Sequence, residues 1–152
     1  MSYWLFQANP DRYDIIGALR ELPVIPWSLR QHERDVKVGD GILIWSSGPA
    51  GGILARGIAI SQPALTGTVE DERPFIRDPT LDTPLPAVRV RIDQVLNPPI
   101  GRWLVKAHPV LCGLDVLKMP RSTNYSVTPE QWAAAVELSV AQRADGLLAE
   151  SP

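Results

Sequence analysis

Apolar residues along this chain fall in short runs divided by turn-forming residues, and the period within each run predicts an element. Tyr3-Trp4-Leu5-Phe6-Gln7-Ala8 is an almost unbroken apolar and aromatic run closed by Asn9-Pro10, which predicts a buried first strand. Asp14 is placed to cap a short helix over residues 15–22, whose Ile15, Ile16, Leu19 and Leu22 share one face. Val24-Ile25-Pro26-Trp27 predicts a short extended piece. Pro26 lacks an N–H and so assigns that piece to a sheet edge or a strand end. Residues 31–35 are polar and predict a turn or a single helical turn. Val38-Gly39-Asp40-Gly41 predicts a tight turn opening the strand Ile42-Leu43-Ile44-Trp45. Residues 46–52 turn the chain and residues 53–60 return, which makes a β-hairpin. On the return strand Ala55, Gly57 and Ala59 alternate, so a neighbouring element can approach closely or a ligand can find room.

Residues 62–86 have several prolines, many acids and little periodicity, and read as a long surface excursion. Ala87-Val88-Arg89-Val90-Arg91-Ile92 alternates with period two, a strand with Arg89 and Arg91 on one face. Asn97-Pro98-Pro99 is expected to end it, and residues 100–107 to form a short helix before Pro109. Thr128-Pro129-Glu130-Gln131 is a capping box with proline at the first helical position. It opens a helix running to about residue 143, with an apolar stripe of Trp132, Ala135, Val136 and Leu138 or Ser139. One domain is expected over residues 1–147, with 148–152 fraying. The element order predicts an α+β fold: a small curved, mostly antiparallel β-barrel flanked by helices.

Composition narrows the function. The 152 residues are 45% hydrophobic with a formal net charge of −2, which argues against a grip on nucleic acid by overall charge and leaves room for a local basic patch. Cys112 is the single cysteine, so no intrachain disulfide or thiolate metal cluster forms; its apolar setting predicts a buried, inert thiol. No apolar stretch approaches the roughly 20 residues of a membrane span, and Met1-Ser2-Tyr3-Trp4 has no signal-like pattern, so a cytoplasmic protein without a membrane partner is expected. His32 and His108 each stand alone, with no metal-ligand spacing. There is no G-x-S-x-G elbow, and Gly48-Pro49-Ala50-Gly51-Gly52 lacks the Gly-Lys-Ser/Thr of a phosphate loop. Asp71-Glu72 and Glu33-Arg34-Asp35 read as solvated faces. The expectation is a non-catalytic protein with no cofactor and no metal.

The candidate chemistry lies in the tryptophans. Trp27 and Trp45 each sit where an apolar run stops, beside hydroxyl, Arg or Gly residues, as suits a flat face offered to a planar ligand. Trp4, Trp103 and Trp132 sit in apolar patterns and are expected in the core. Ser28 can hydrogen-bond a base edge or its own backbone. Asn124 can serve a turn, or donate and accept together as reading a base requires. Arg30, Lys37, Lys118 and Arg121 are candidates for phosphate contact, or are solvated surface charges.

In sequence the chain resembles the EVE domain family. The landmarks are residues 3–10, Trp27-Ser28-Leu29-Arg30-Gln31, Lys37-Val38-Gly39-Asp40, Ile44-Trp45-Ser46-Ser47-Gly48, Gly52-Ile53, Gly57, and Arg121-Ser122-Thr123-Asn124-Tyr125-Ser126-Val127-Thr128, in that order over nearly the whole chain. The resemblance implies a PUA-like fold related to YTH domains, readers of methylated adenine in RNA. It implies a pocket at Trp27-Ser28, across from Asn124, that takes up a modified, methylated base flipped out of DNA or RNA. In bacteria it implies an association with modification-dependent restriction. Trp45 joins this set from its strand-end position, not from the resemblance. The competing reading is a sensor of a free planar metabolite such as a nucleoside, with no polymer bound.

Overall fold

The computed structural model describes the backbone of residues 1–67 and 69–149 and side chains as far as Ala141. Seven strands form one curled sheet: β1 (Tyr3–Ala8), β2 (Val24–Ser28), β3 (Gly41–Ser46), β4 (Gly52–Ala59), β5 (Ala64–Thr66), β6 (Leu85–Gly101) and β7 (Asn124–Val127). Their order is β2-β6-β4-β3-β1-β7, with β5 added beside β6. Only the β1–β3 pair is parallel; the other pairs are antiparallel. The helices are α1 (Ile15–Glu21), α2 (Arg102–Ala107), α3 (Asp115–Lys118) and α4 (Pro129–Ala149).

Both faces of the sheet are covered, so the period of two sorts its apolar residues into two cores. Trp4, Phe6, Ile25, Trp27, Ile42, Ile44, Val88 and Val90 turn inward and are closed by Ile15, Ala18 and Leu19 of α1. Leu5, Leu43, Trp45, Ile53, Ile100, Tyr125 and Val127 turn outward, under Val105, Leu114, Val116, Ala134 and Ala135 of the later helices. Asp14 caps α1 by accepting from the Gly17 N–H (3.1 Å). The helix turns Ala18 inward and leaves Ile16 exposed, which corrects the expected stripe. Gly41 marks a close approach: a Cβ there would lie 2.7 Å from both the Tyr3 and Trp132 rings, which stack with centroids 4.8 Å apart.

Asp40 explains the Lys37–Asp40 turn. Buried, it accepts from Ser2 N (3.0 Å), from Trp4 Nε1 (2.9 Å) and from Lys37 N (2.8 Å), so one carboxylate ties the N-terminus, the first strand and the turn together.

The two end strands, β2 and β7, are joined by side chains instead of a ladder. Asn124 Oδ1 accepts from the N–H groups of Arg30 (2.8 Å) and Gln31 (3.2 Å), and its Nδ2 donates to the Ser28 carbonyl (3.1 Å). Gln31 returns the contact: its Oε1 accepts from Thr123 N and Asn124 N, each at 3.0 Å. This reciprocal amide clamp closes the half-barrel.

Several expectations change. Strand β6 does not stop at Asn97-Pro98-Pro99 but runs on to Gly101, and α2 begins only at Arg102. On β4, Ile53 pairs with Ile100 and Ala55 with Val95, so residues 96–99 bulge opposite Leu54, where no ladder N–H is required of the prolines. Trp103 is 83% exposed, with the Lys106 ammonium 6.0 Å from its ring centroid. In the short helix α2 Val105 points inward, and a residue two positions away points outward. Cys112 is exposed as well, because its neighbour Leu111 takes the inward position of a 3₁₀ turn. Helix α4 runs past the expected end near residue 143 to Ala149, so the fraying expected over 148–152 does not begin at 148, and its remainder at 150–152 lies outside the described residues. Among the described residues no helix is long and apolar enough to cross a membrane.

The capping box forms in full: Gln131 N donates to Thr128 Oγ1 (3.1 Å) and Thr128 N to Gln131 Oε1 (2.9 Å). Thr128→Ala is expected to cost about 1 kcal/mol, measured as a lower urea midpoint at unchanged m-value.

Candidate nucleic-acid interface

A cavity of about 420 Å³ opens at one end of the half-barrel, within the roughly 300–1,000 Å³ usual for small-molecule sites. Five segments wall it. The end of β1 gives Gln7 and Ala8, β2 gives Ile25, Trp27 and Ser28, the start of α1 is preceded by Arg12 and Tyr13, and the 120–123 loop gives Arg121 and Ser122. The excursion after β4 supplies the remaining wall with Thr66, Gly67, Glu72, Ile76 and Leu81.

Each wall is held in place. Gln7 Nε2 donates to the carbonyls of Pro120 (2.9 Å) and Ser122 (2.7 Å), which fixes the loop carrying Arg121. The hydroxyl of Tyr125 accepts from Ser122 N (3.0 Å) and braces the same loop. The excursion is pinned to residues 12–14: Arg77 N and Asp78 N donate to the Arg12 carbonyl, and Asp14 N donates to the Phe75 carbonyl (2.7 Å). Arg12 Nε donates to Asp78 Oδ2 (2.8 Å). The N–H and hydroxyl of Thr80, with Arg12, hold the Asp78 carboxyl down to about 2.

The sequence-predicted residues divide. Trp27, Ser28, Arg30 and Arg121 line the cavity. Trp27 does so from within the inner core; it is only 7% exposed and its ring lies 5.9 Å from that of Phe6. Arg30 and Arg121 are exposed at the cavity and form no ion pair among the described residues. Asn124 does not line it. Its buried amide is engaged by the backbone of residues 28–31, so it supports the wall from behind. Trp45 sits on the opposite face of the sheet, in the outer core, because its neighbour Ile44 faces inward. Lys37 donates its ammonium to the Arg34 carbonyl (3.0 Å), and neither it nor Lys118 reaches the cavity.

Sequence reasoning missed Gln7, Arg12, Tyr13 and Glu72. Glu72, expected on a solvated face, is half-buried in the cavity wall. Burial raises its pKa above the ordinary carboxylate range. The Tyr13 phenol is pushed up too, first by burial and then by the nearby Glu72. Tyr13 Oη is buried, with the Glu72 carboxyl as its hydrogen-bonding neighbour. Among the described residues no cluster of three or more His, Cys, Asp or Glu could hold a metal ion.

A curled, mostly antiparallel sheet with a few helices and a cavity at its end defines a PUA-like α+β fold. The EVE domain family model matches residues 2–138, and the chain belongs to that family. It is similar to a solved hypothetical protein from Leishmania major, at 20% identity over 94% of this chain and 97% of that chain, TM-score 0.69. Protein PSPTO5229 from Pseudomonas syringae is similar at 24% identity over 91% of this chain and 99% of that one, TM-score 0.69. Human THYN1 protein, solved in complex with 5-methylcytosine containing DNA, is similar at 15% identity over 91% of this chain and 98% of that one, TM-score 0.69. At these identities the likeness is one of fold. No curated protein matches the chain.

Proposed function

We propose that this domain is a non-catalytic reader that holds a modified, methylated nucleobase of DNA or RNA in the cavity beside Trp27. The observation that carries the reading is the combination of an aromatic wall with two uncommitted arginines, Arg30 and Arg121, at the same opening. The complex of human THYN1 with 5-methylcytosine DNA supports it, as a protein of the same fold. The base leaves its stack to enter, at a cost of a few kcal/mol that is smallest on a single strand. Stacking contributes about 1–3 kcal/mol per base, and a buried methyl group about 0.8 kcal/mol more. The balance predicts weak binding to unmodified strands and a preference set by the modification. The arginines favour a phosphate-bearing strand over a free nucleoside, since a nucleoside gives them nothing to neutralise.

Titration of the protein with paired methylated and unmethylated oligonucleotides, DNA and RNA in parallel with the free nucleosides, tests this directly. Equal affinity for methylated and unmethylated strands, or tighter binding of the nucleoside than of the strand, would overturn it. With two arginines at the opening, the log–log salt slope is expected near about −2 on duplex DNA and about −1.4 on single strands. A slope of about −8 would require a basic track elsewhere on the surface.

A further inference from the structure

Trp103 belongs to neither core, and its ring stands in solvent while Val105 of the same short helix α2 takes the inward position. An indole left in water adds nothing to the fold by burial, and its flat face is open to a planar ligand. The charge around it is one-sided. From residue 94 to residue 114 the chain has Arg102, Lys106 and His108 and no acid, within a protein of net charge −2. The Lys106 ammonium lies 6.0 Å from the Trp103 ring centroid. Neither Arg102 nor Lys106 forms an ion pair among the described residues, and the Arg102 Nε is buried without a hydrogen-bond partner. Such nitrogens are nearly always paired, so the half-buried Arg102 is left with capacity for an acceptor from outside the chain. The sheet relates this cluster to the cavity. Ala8 pairs with Ser46, Ser46 with Gly52 and Gly52 with Gly101, which sets four strand ends in one row. Ala8, at one end of the row, lines the cavity, and Gly101, at the other, leads into α2. The strand spacings between them span at most about 14 Å.

On the reading that the cavity holds one base of a strand, we infer that Trp103, with Arg102 and Lys106, is a second nucleotide subsite. It is a platform on which a base flanking the one in the cavity stacks. A strand with a base beside Ala8 crosses the end of the sheet to reach α2. A base laid on the indole stacks whatever its identity, because every base has a flat face. Its phosphates then lie beside two cations with no carboxylate in the surrounding chain segment to compete, a grip that the arginines at the cavity do not supply. The two subsites divide the work. The cavity discriminates the modification, and the platform adds affinity without sequence preference, which offsets part of the cost of extruding the base.

The test uses the full chain and single-stranded oligonucleotides with one central 5-methylcytosine, in which an abasic residue replaces each flanking base in turn. For the wild type, affinity is expected to fall about fivefold to tenfold at one flanking position, as for the loss of one stacked base. Trp103→Ala should melt at the wild-type midpoint, since it removes an exposed side chain. It should bind the intact strand about fivefold to tenfold more weakly and lose the sensitivity at that position, while keeping the ratio of methylated to unmethylated binding. Trp103→Tyr keeps a flat ring and should restore most of the affinity. The shortest strands should show the salt slope of the cavity opening alone, about −1.4, and longer ones about −2.8 as Arg102 and Lys106 join. An abasic profile without a sensitive flanking position, or one unchanged in Trp103→Ala, overturns the inference and leaves the base-reader reading standing. So does a wild type that dimerises in sedimentation while Trp103→Ala stays monomeric, since the exposed Trp103 and Leu104 would then be a contact with a second copy of the chain. If no methylated strand binds better than its unmodified partner, the base-reader reading itself falls and takes this inference with it.

Discussion

Asn124→Ala is expected to lower stability by about 2–4 kcal/mol and to weaken binding, although its side chain does not line the cavity. Its buried amide satisfies two backbone N–H groups and one carbonyl of residues 28–31, at a partly buried junction between the two ends of the sheet. Deleting one partner leaves those groups without their protein partner, at about 1–3 kcal/mol for each one that stays out of water. The same cut frees the Ser28–Arg30 segment, so the wall carrying Trp27, Ser28 and Arg30 loosens. Gln31→Ala should destabilise by a similar mechanism, since Gln31 Oε1 holds the N–H groups of Thr123 and Asn124 from the other side. The double variant should lose less than the two single losses added, because either cut already opens the junction. Urea denaturation of the three variants measures this. An Asn124→Ala protein as stable as the wild type, yet unable to tell methylated from unmethylated strands, would make Asn124 a reader of bases instead of a clamp.

The parts of the fold legible in the sequence are those fixed by local chemistry. Asp14 caps its helix, Thr128 and Gln131 cap each other's backbone, Pro26 lies on an end strand, and the turn after Trp45 returns as a hairpin. What was not legible depends on which face of a doubly covered sheet carries the cavity. Trp27 and Trp45 look alike in sequence, each at a strand end beside a serine. Pairing parity separates them. Phe6 and Ile44 are partners on the inner face, so the next pair, Gln7 and Trp45, turns its tryptophan to the outer one.

The excursion was illegible for a different reason. Residues 62–86 have no period because only β5, paired with the start of β6, and two 3₁₀ turns are regular in them; the segment is tied to the rest of the chain by the carbonyl of Arg12, the N–H of Asp14 and the bridge at Tyr13. Glu72 reaches the cavity only through those long-range contacts, which no local pattern encodes. A row of acids with prolines is ordinarily a solvated face, and Glu70 and Asp71 remain exposed.

Trp27→Ala is expected to cost about 3–5 kcal/mol, as for a large buried aromatic, and to abolish the preference for a modified base at the same time. In sequence, its place after Pro26 and before Ser28 suits a flat face offered to a ligand. The structure instead buries it against Phe6 in the inner core, with an edge left to the cavity. For a chain of this size the loss corresponds to a melting midpoint lower by roughly 10 °C or more. Trp132→Ala should fall less far, since Trp132 is half-buried and packs on Tyr3 at the edge of the outer core. Because stability and binding fall together in Trp27→Ala, Trp27→Phe is the variant that separates them. Phenylalanine keeps an aromatic face and most of the packing, so it should retain the fold with a modest loss and keep part of the preference for methylated strands. Trp27→Leu fills the core comparably but offers no flat face, and should lose that preference at similar stability. Melting midpoints and oligonucleotide titrations of the three variants decide the point. If Trp27→Leu discriminates methylated from unmethylated strands as well as Trp27→Phe does, Trp27 is a core residue that happens to border the cavity, and stacking on it is not what holds the base.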